Sequence, residues 1–215
     1  MAKATQKLTT QSKSLGIYVH VPFCRSKCQY CDFYSLPRSE KTPELMDRYV
    51  QALEAHIREG GARAPRYVVD SVYFGGGTPS YFGPDRLKDV FSAISKRFNV
   101  SKSAEVTLEA NPDSITDKGC QKLLAAGFNR ISIGVQNNND QILKVLGRPH
   151  TFHQAQRSVD IARNAGFGNI SLDLMYGLPA QSPQQWADAL GSIIDLKPEH
   201  ISCYGLTLSP GTPLY

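Results

Sequence analysis

Cys24, Cys28 and Cys31 stand in one short stretch, HVPFCRSKCQYCDFYS, and are three of the chain's five cysteines. Thiolates are soft ligands, suited to zinc or to an iron–sulfur cluster. Such centres usually take four ligands, so three leave one position for something else. His20 offers a Cys3His zinc set, and Cys28-Gln-Tyr-Cys31 offers a dithiol redox pair. Spacing alone leaves cluster, zinc and redox open. Alternation puts His20 inside a strand, facing one side of a sheet, which counts against its reaching the thiols. An incompletely ligated metal is a place where a small molecule binds, so the missing ligand is itself a functional expectation.

Other residues gather by type. The run GGGTP, Gly75 to Pro79, lets backbone approach a ligand where side chains would block it, although alone it also reads as a tight turn. Glu109, Gln136 and Asp173 stand at or near the C-terminal ends of different predicted strands, so a βα fold would converge them on one mouth. Singly, each reads as an exposed loop residue or a helix cap.

The elements that must position these groups follow from periodicity. Six β-rich runs are predicted: Gly16 to Val21, Val69 to Phe74, Ala104 to Glu109, Asn129 to Val135, Asn169 to Met175 and His200 to Leu206. Between them lie helical stripes, one of Leu45, Met46, Tyr49, Val50, Leu53 and Ile57, another of Leu87, Val90, Phe91, Ile94 and Phe98. Pro43, Pro84 and Pro183 mark helix starts, while AAGF and NAGF mark C-caps. Regular strand–helix alternation implies a parallel sheet and an α/β fold. Periodicity leaves a doubly wound sheet and three quarters of a barrel equally open.

Composition bounds the function classes. With 215 residues, 41% hydrophobic and 20% charged, the chain is expected to be one soluble domain. Residues 1–14 read as a disordered tail and 15–215 as the core domain. No apolar run suits a membrane helix and the N-terminus lacks a secretory pattern, so the cytoplasm is the expected location; the tail's lack of acids also admits a transit peptide. The net charge of +5 includes Lys3, Lys7 and Lys13 in that tail, and no basic run with interleaved aromatics points to nucleic acid. An odd, clustered cysteine set is not a disulfide framework.

Taken together, CRSKCQYC, YFGGGTPS, EANPDS, GVQNNND and LDLMYGLP resemble the ordered motifs of the radical S-adenosylmethionine (SAM) superfamily. Within it the chain is similar to the branch of oxygen-independent coproporphyrinogen III oxidase and the HemW-type haem chaperones, from about Gly16 to Tyr215. The resemblance implies a [4Fe-4S] cluster held by Cys24, Cys28 and Cys31, its fourth iron chelated by SAM, and an electron donor for the cluster. One electron from the cluster would then split the sulfonium and release a radical that abstracts hydrogen. The resemblance places Gly76, Gly77 and Thr78 against the methionine moiety and assigns Tyr18, Tyr30, Glu109, Gln136, Arg148 and Asp173 to SAM binding. It also breaks the tie in favour of an incomplete (β/α)6 TIM-like barrel, with cluster and SAM at the C-terminal mouth. Arg25 and Lys27 could steady the thiolates or simply face solvent.

Two functions follow from the branch. One is a haem chaperone that carries haem as cargo to an acceptor protein. The alternative is a coproporphyrinogen III dehydrogenase that oxidatively decarboxylates its substrate to protoporphyrinogen IX. The oxidases carry another cysteine two positions beyond the third, where this chain has Phe33, and a longer N-terminal extension; both departures favour the chaperone. Family members continue past the point where this chain stops, SPGTPLY, with a C-terminal region that covers the barrel and, in the chaperones, carries a His-containing motif proposed for haem. Cys120 and Cys203 are expected to be small buried hydrophobes, Trp186 core, and the histidines not metal ligands.

Overall fold

The computed structural model describes residues 13–36 and 41–215. Six parallel strands, β1 (Lys13–Val21), β2 (Tyr67–Gly76), β3 (Asn99–Ala110), β4 (Arg130–Gln136), β5 (Ile170–Tyr176) and β6 (His200–Gly205), lie in the order 1-2-3-4-5-6. Each pairs with its sequence neighbour, and among the described residues β1 and β6 each have one partner only. Consecutive order without a switch point is the progression of a barrel rather than of a doubly wound sheet. The sheet curls into an open, incomplete (β/α)6 barrel.

The helices cover the outside. They are α1 (Pro43–Arg63), α2 (Pro79–Phe82), α3 (Pro84–Arg97), α4 (Asp117–Ala126), α5 (Asp140–Val145), α6 (Phe152–Ala165) and α7 (Pro183–Ile194). Thr42, Thr116, Thr151 and Ser182 cap α1, α4, α6 and α7 through their side chains. AAGF and NAGF end α4 and α6 as expected. Gly127 and Gly166 sit at φ 104° and 117°, and the Phe128 and Phe167 amides close back on Leu123 and Ala162, a Schellman turn that sends each phenylalanine into the core.

Strand alternation separates core from site. Val19, Val21, Val72, Phe74, Val106, Leu108, Ile131, Ile133, Ile170 and Leu172 point outward and are buried under the helices. They meet Leu87, Val90 and Ile94 of α3, all fully buried. Each such side chain contributes about 1.5–3 kcal/mol by burial. The alternate residues, Tyr73, Glu109, Ser132, Gly134, Gln136 and Asp173, line the concave side.

Two expectations need correction. Lys13 and Ser14 are not tail: they pair with Tyr67 and Val68 in β1, because β2 runs long enough to template them, and Ser14 Oγ hydrogen-bonds Asp70. The remainder of the expected tail, residues 1–12, lies outside the described residues. Cys203 is exposed rather than buried, since among the described residues β6 is an edge strand with a neighbour on one side only.

Candidate functional site

The cysteine loop follows β1 and is tied down at several points. Gly77 N donates to Val21 O at 2.8 Å and Thr78 N to Phe23 O at 2.8 Å, extending the β1–β2 pairing past the strand ends. Phe23 is fully buried, stacked on Phe82 at 5.3 Å and edge-on to Tyr49 at 5.5 Å. Gln29 N bonds to Leu146 O at 3.0 Å. Gly77 is required by this packing: a Cβ there would stand 2.8 Å from Val21 O and 2.9 Å from Cys24 Sγ.

All three thiols open on one cavity of about 720 Å3 at the C-terminal mouth of the sheet, within the size range of cofactor sites. Burial pushes the Cys24 and Cys31 thiols up, so the protein on its own keeps them protonated at neutral pH and ligation releases protons. Among the described residues no group of three or more His, Cys, Asp or Glu side chains converges on a single ion. A lone tetrahedral zinc with arms of about 2.3 Å demands such convergence, whereas thiolates on separate irons of a cluster stand further apart. His20 does not complete a zinc set: its Nδ1 meets Tyr18 OH at 3.1 Å and its Nε2 meets Tyr34 O at 3.1 Å.

The cavity floor carries a recessed cation. Arg148 Nη2 donates to Asn111 Oδ1 at 2.6 Å and to Gly134 O at 2.7 Å, Nη1 donates to Cys28 Sγ at 3.4 Å, and its buried Nε has no partner. Burial opposes its charge, but the Tyr30 phenol and the Cys28 thiol beside it hold the guanidinium firmly protonated. Among the described residues no carboxylate lies within 4 Å of it to form an ion pair. Gly134 makes room, since a Cβ there would stand 3.1 Å from Arg148 Nη2.

Two carboxylates line the same cavity. Glu109 accepts from Tyr73 OH at 2.8 Å and from Gly76 N at 3.2 Å, and burial raises its pKa. Asp173 accepts from Ser132 Oγ at 3.0 Å; burial and then the charge of Glu109 push its carboxyl up to about 6. Gln136, buried at the end of β4, holds a left-handed φ of 72°. That conformation costs a non-glycine residue about 1 kcal/mol or more. Tyr204 OH donates to its Oε1 at 2.5 Å.

Of the expected site residues, Cys24, Cys28, Cys31, Tyr30, Gly76, Gly77, Thr78, Glu109, Gln136, Arg148 and Asp173 all line the cavity. Tyr18 does not. It lies on the open β1 edge, stacked at 6.2 Å on Tyr73, which takes the cavity wall instead. Sequence reasoning passed over Tyr73, Asn111 and Tyr204. Inward alternation on β2 and β6 marks the tyrosines, and Asn111 lies in the EANPDS motif itself. Phe33 is exposed and lines the rim.

With this geometry established, the family model of the radical SAM superfamily matches residues 18–193. The chain belongs to the radical SAM superfamily. It is 38% identical to the heme chaperone HemW of Escherichia coli K12 over 198 residues, 92% of this chain and 52% of that protein. The mitochondrial radical S-adenosyl methionine domain-containing protein 1 of Mus musculus is 38% identical over 205 residues, 95% of this chain and 46% of that one. The radical SAM enzyme coproporphyrinogen III oxidase, HemN, from Escherichia coli matches with a TM-score of 0.85 at 29% identity, over 94% of this chain and 46% of that chain. The chain spans about half the length of the curated relatives it matches.

Membership of the radical SAM superfamily implies an iron–sulfur cluster and SAM, and the residues present fit both. Three thiols on one rim suit an iron–sulfur centre. A recessed guanidinium with an orphan Nε suits an anion, whether a cluster or a carboxylate. The Gly77 position, where a Cβ would collide with Cys24, suits a ligand that needs backbone at close range. Among the described residues no helix is long and apolar enough to cross a membrane.

Proposed function

We propose that this chain is the radical SAM core of a haem chaperone of the HemW type, with Cys24, Cys28 and Cys31 holding a [4Fe-4S] cluster. The observation that carries the reading is the pairing of the three-thiol rim with Arg148 below it, whose buried Nε has no partner, in a chain 38% identical to a heme chaperone over 92% of its length. When bound, the cluster supplies single electrons to SAM. The chain's own residues do the rest. Arg148 receives the carboxylate of SAM, and Gly76, Gly77 and Thr78 offer backbone to its methionine part. Glu109 and Asp173 accept from its amino and hydroxyl groups, with Gln136 as a further polar contact. Tyr30 walls the adenine.

Glu109 is already oriented by Tyr73 OH and Gly76 N–H, so one lone pair per oxygen remains for a ligand. Asp173 is held likewise by Ser132. Glu109 and Asp173 would have their pKa values lowered, and their mutual repulsion offset, by a cationic ligand in this cavity.

Haem as cargo, with delivery to an acceptor protein, is the reading that the chaperone relatives support. Phe33 at the rim, in place of a further cysteine, supports it over porphyrinogen oxidation. Anaerobic incubation with coproporphyrinogen III, SAM and reductant should yield no protoporphyrinogen, while hemin titration should give a saturable Soret shift. Product formation overturns the chaperone reading, and hemin spectra identical to those of free hemin overturn haem binding by this core.

A further inference from the structure

Gln136 ends β4 at an irregularity. The β4–β5 register slips there: Gly134 pairs with Asp173 and Gln136 with Leu174, which leaves Val135 as the extra residue of a bulge. Side chains of paired residues ordinarily share a face of the sheet. Leu174 is fully buried in the core under the helices, whereas Gln136 lines the cavity. The bulge and the left-handed φ of 72° turn the Gln136 side chain to the concave side. Bulges re-aim side chains in this way beside functional sites, and backbone strain of this kind persists only where the surroundings hold it.

The amide itself is held at one end. Tyr204, paired with Met175 of β5, reaches across that strand and donates its hydroxyl to Gln136 Oε1 at 2.5 Å. With the acceptor end taken, Nε2 is left, and among the described residues it has no hydrogen-bond partner. An amide nitrogen of this type only donates. Nε2 and Arg148 Nη2 stand 2.9 and 3.1 Å from the point that a Cβ on Gly134 would occupy. Two donors therefore converge beside the Gly134 backbone, an arrangement that suits an electron-rich atom of a ligand.

We propose that Tyr204 is a positioning residue for SAM: its hydroxyl fixes the Gln136 amide so that Nε2 donates to the bound cofactor. The inference rests on the SAM site assigned under the proposed function and deepens it, since Gln136 then acts as a donor and Tyr204 acts only through Gln136. Tyr204→Phe removes one oxygen and keeps the ring, which frees the amide to present either end. Gln136→Leu removes the donor itself.

The test is isothermal titration of SAM into the anaerobically reconstituted chain, with iron and sulfide content measured alongside. Tyr204→Phe should weaken binding about fivefold, the worth of one neutral hydrogen bond, with cluster content unchanged. Gln136→Leu should weaken it at least as much. The double variant should bind no more weakly than Gln136→Leu alone, because a group that acts through another loses its effect once the other is gone. Wild-type affinity in Tyr204→Phe overturns the proposal. Losses that add in the double variant overturn it equally, since a tyrosine that merely packs would contribute independently. If Gln136→Leu loses the cluster, Gln136→Met, closer in shape, replaces it in the cycle. A wild-type chain that carries the cluster and does not bind SAM contradicts the SAM assignment, and this inference falls with it.

Discussion

Asp173→Asn should stabilise the metal-free protein at neutral pH while removing a ligand contact. The carboxyl of Asp173 rises from an ordinary 3.8 to about 6 because it is buried on β5 opposite Glu109, with Ser132 as its donor. The folded state thus binds the proton more tightly than the unfolded chain. Its effect on stability is absent below about pH 4 and grows unfavourable as pH rises through about 6. A shift of about two units at roughly 1.4 kcal/mol each gives an upper bound near 3 kcal/mol above pH 7, and about 1.5 kcal/mol at pH 5. Water in the open cavity reduces this, so about 1–3 kcal/mol is expected at pH 7.5. Urea denaturation of wild type and Asp173→Asn at pH 7.5 and 5 reads it directly. The variant should be the more stable at pH 7.5, with the gap narrowing toward pH 5. A variant equally or less stable at pH 7.5, or a gap that does not depend on pH, refutes the reasoning.

Cys24→Ala, Cys28→Ala and Cys31→Ala should each abolish cluster assembly, measured as iron and sulfide content, while Cys120→Ala and Cys203→Ala should retain it; equal loss in all five contradicts the site. Gly77→Ala forces a Cβ to within 2.9 Å of Cys24 Sγ and should lower both cluster content and melting temperature, whereas Gly168→Ala, with open space around it, should do neither. Glu109→Gln should weaken SAM binding about tenfold, the worth of one charge-assisted hydrogen bond of roughly 1.5 kcal/mol, with iron content intact by assay. Unchanged SAM affinity in isothermal titration counts against the strand-end reading.

Much of this architecture was legible because it rests on local periodicity. The stripes from Leu45 to Ile57 and from Leu87 to Phe98 became α1 and α3, and the two AGF ends became left-handed caps. Barrel against open sheet was not legible, since strand order depends on long-range pairing that alternation does not encode. The resemblance supplied it. In the site, the cysteines and glycines announce themselves by spacing, and Arg148 was reached only through the family motif. Tyr18 was assigned only through the resemblance; it lies on the edge strand β1 and stacks on Tyr73, which lines the cavity. Asn111 was hidden for another reason: an asparagine before proline reads first as a turn residue, and its place in the site appears only when Arg148 arrives from a distant segment.

The central claim is that three thiols hold a cluster with one position left for SAM. EPR spectra of the anaerobically reconstituted, reduced chain, recorded with and without SAM, test it most directly. The account predicts a [4Fe-4S]+ signal whose g-values change when SAM is added. A cluster signal indifferent to SAM, or no cluster signal at all, contradicts it.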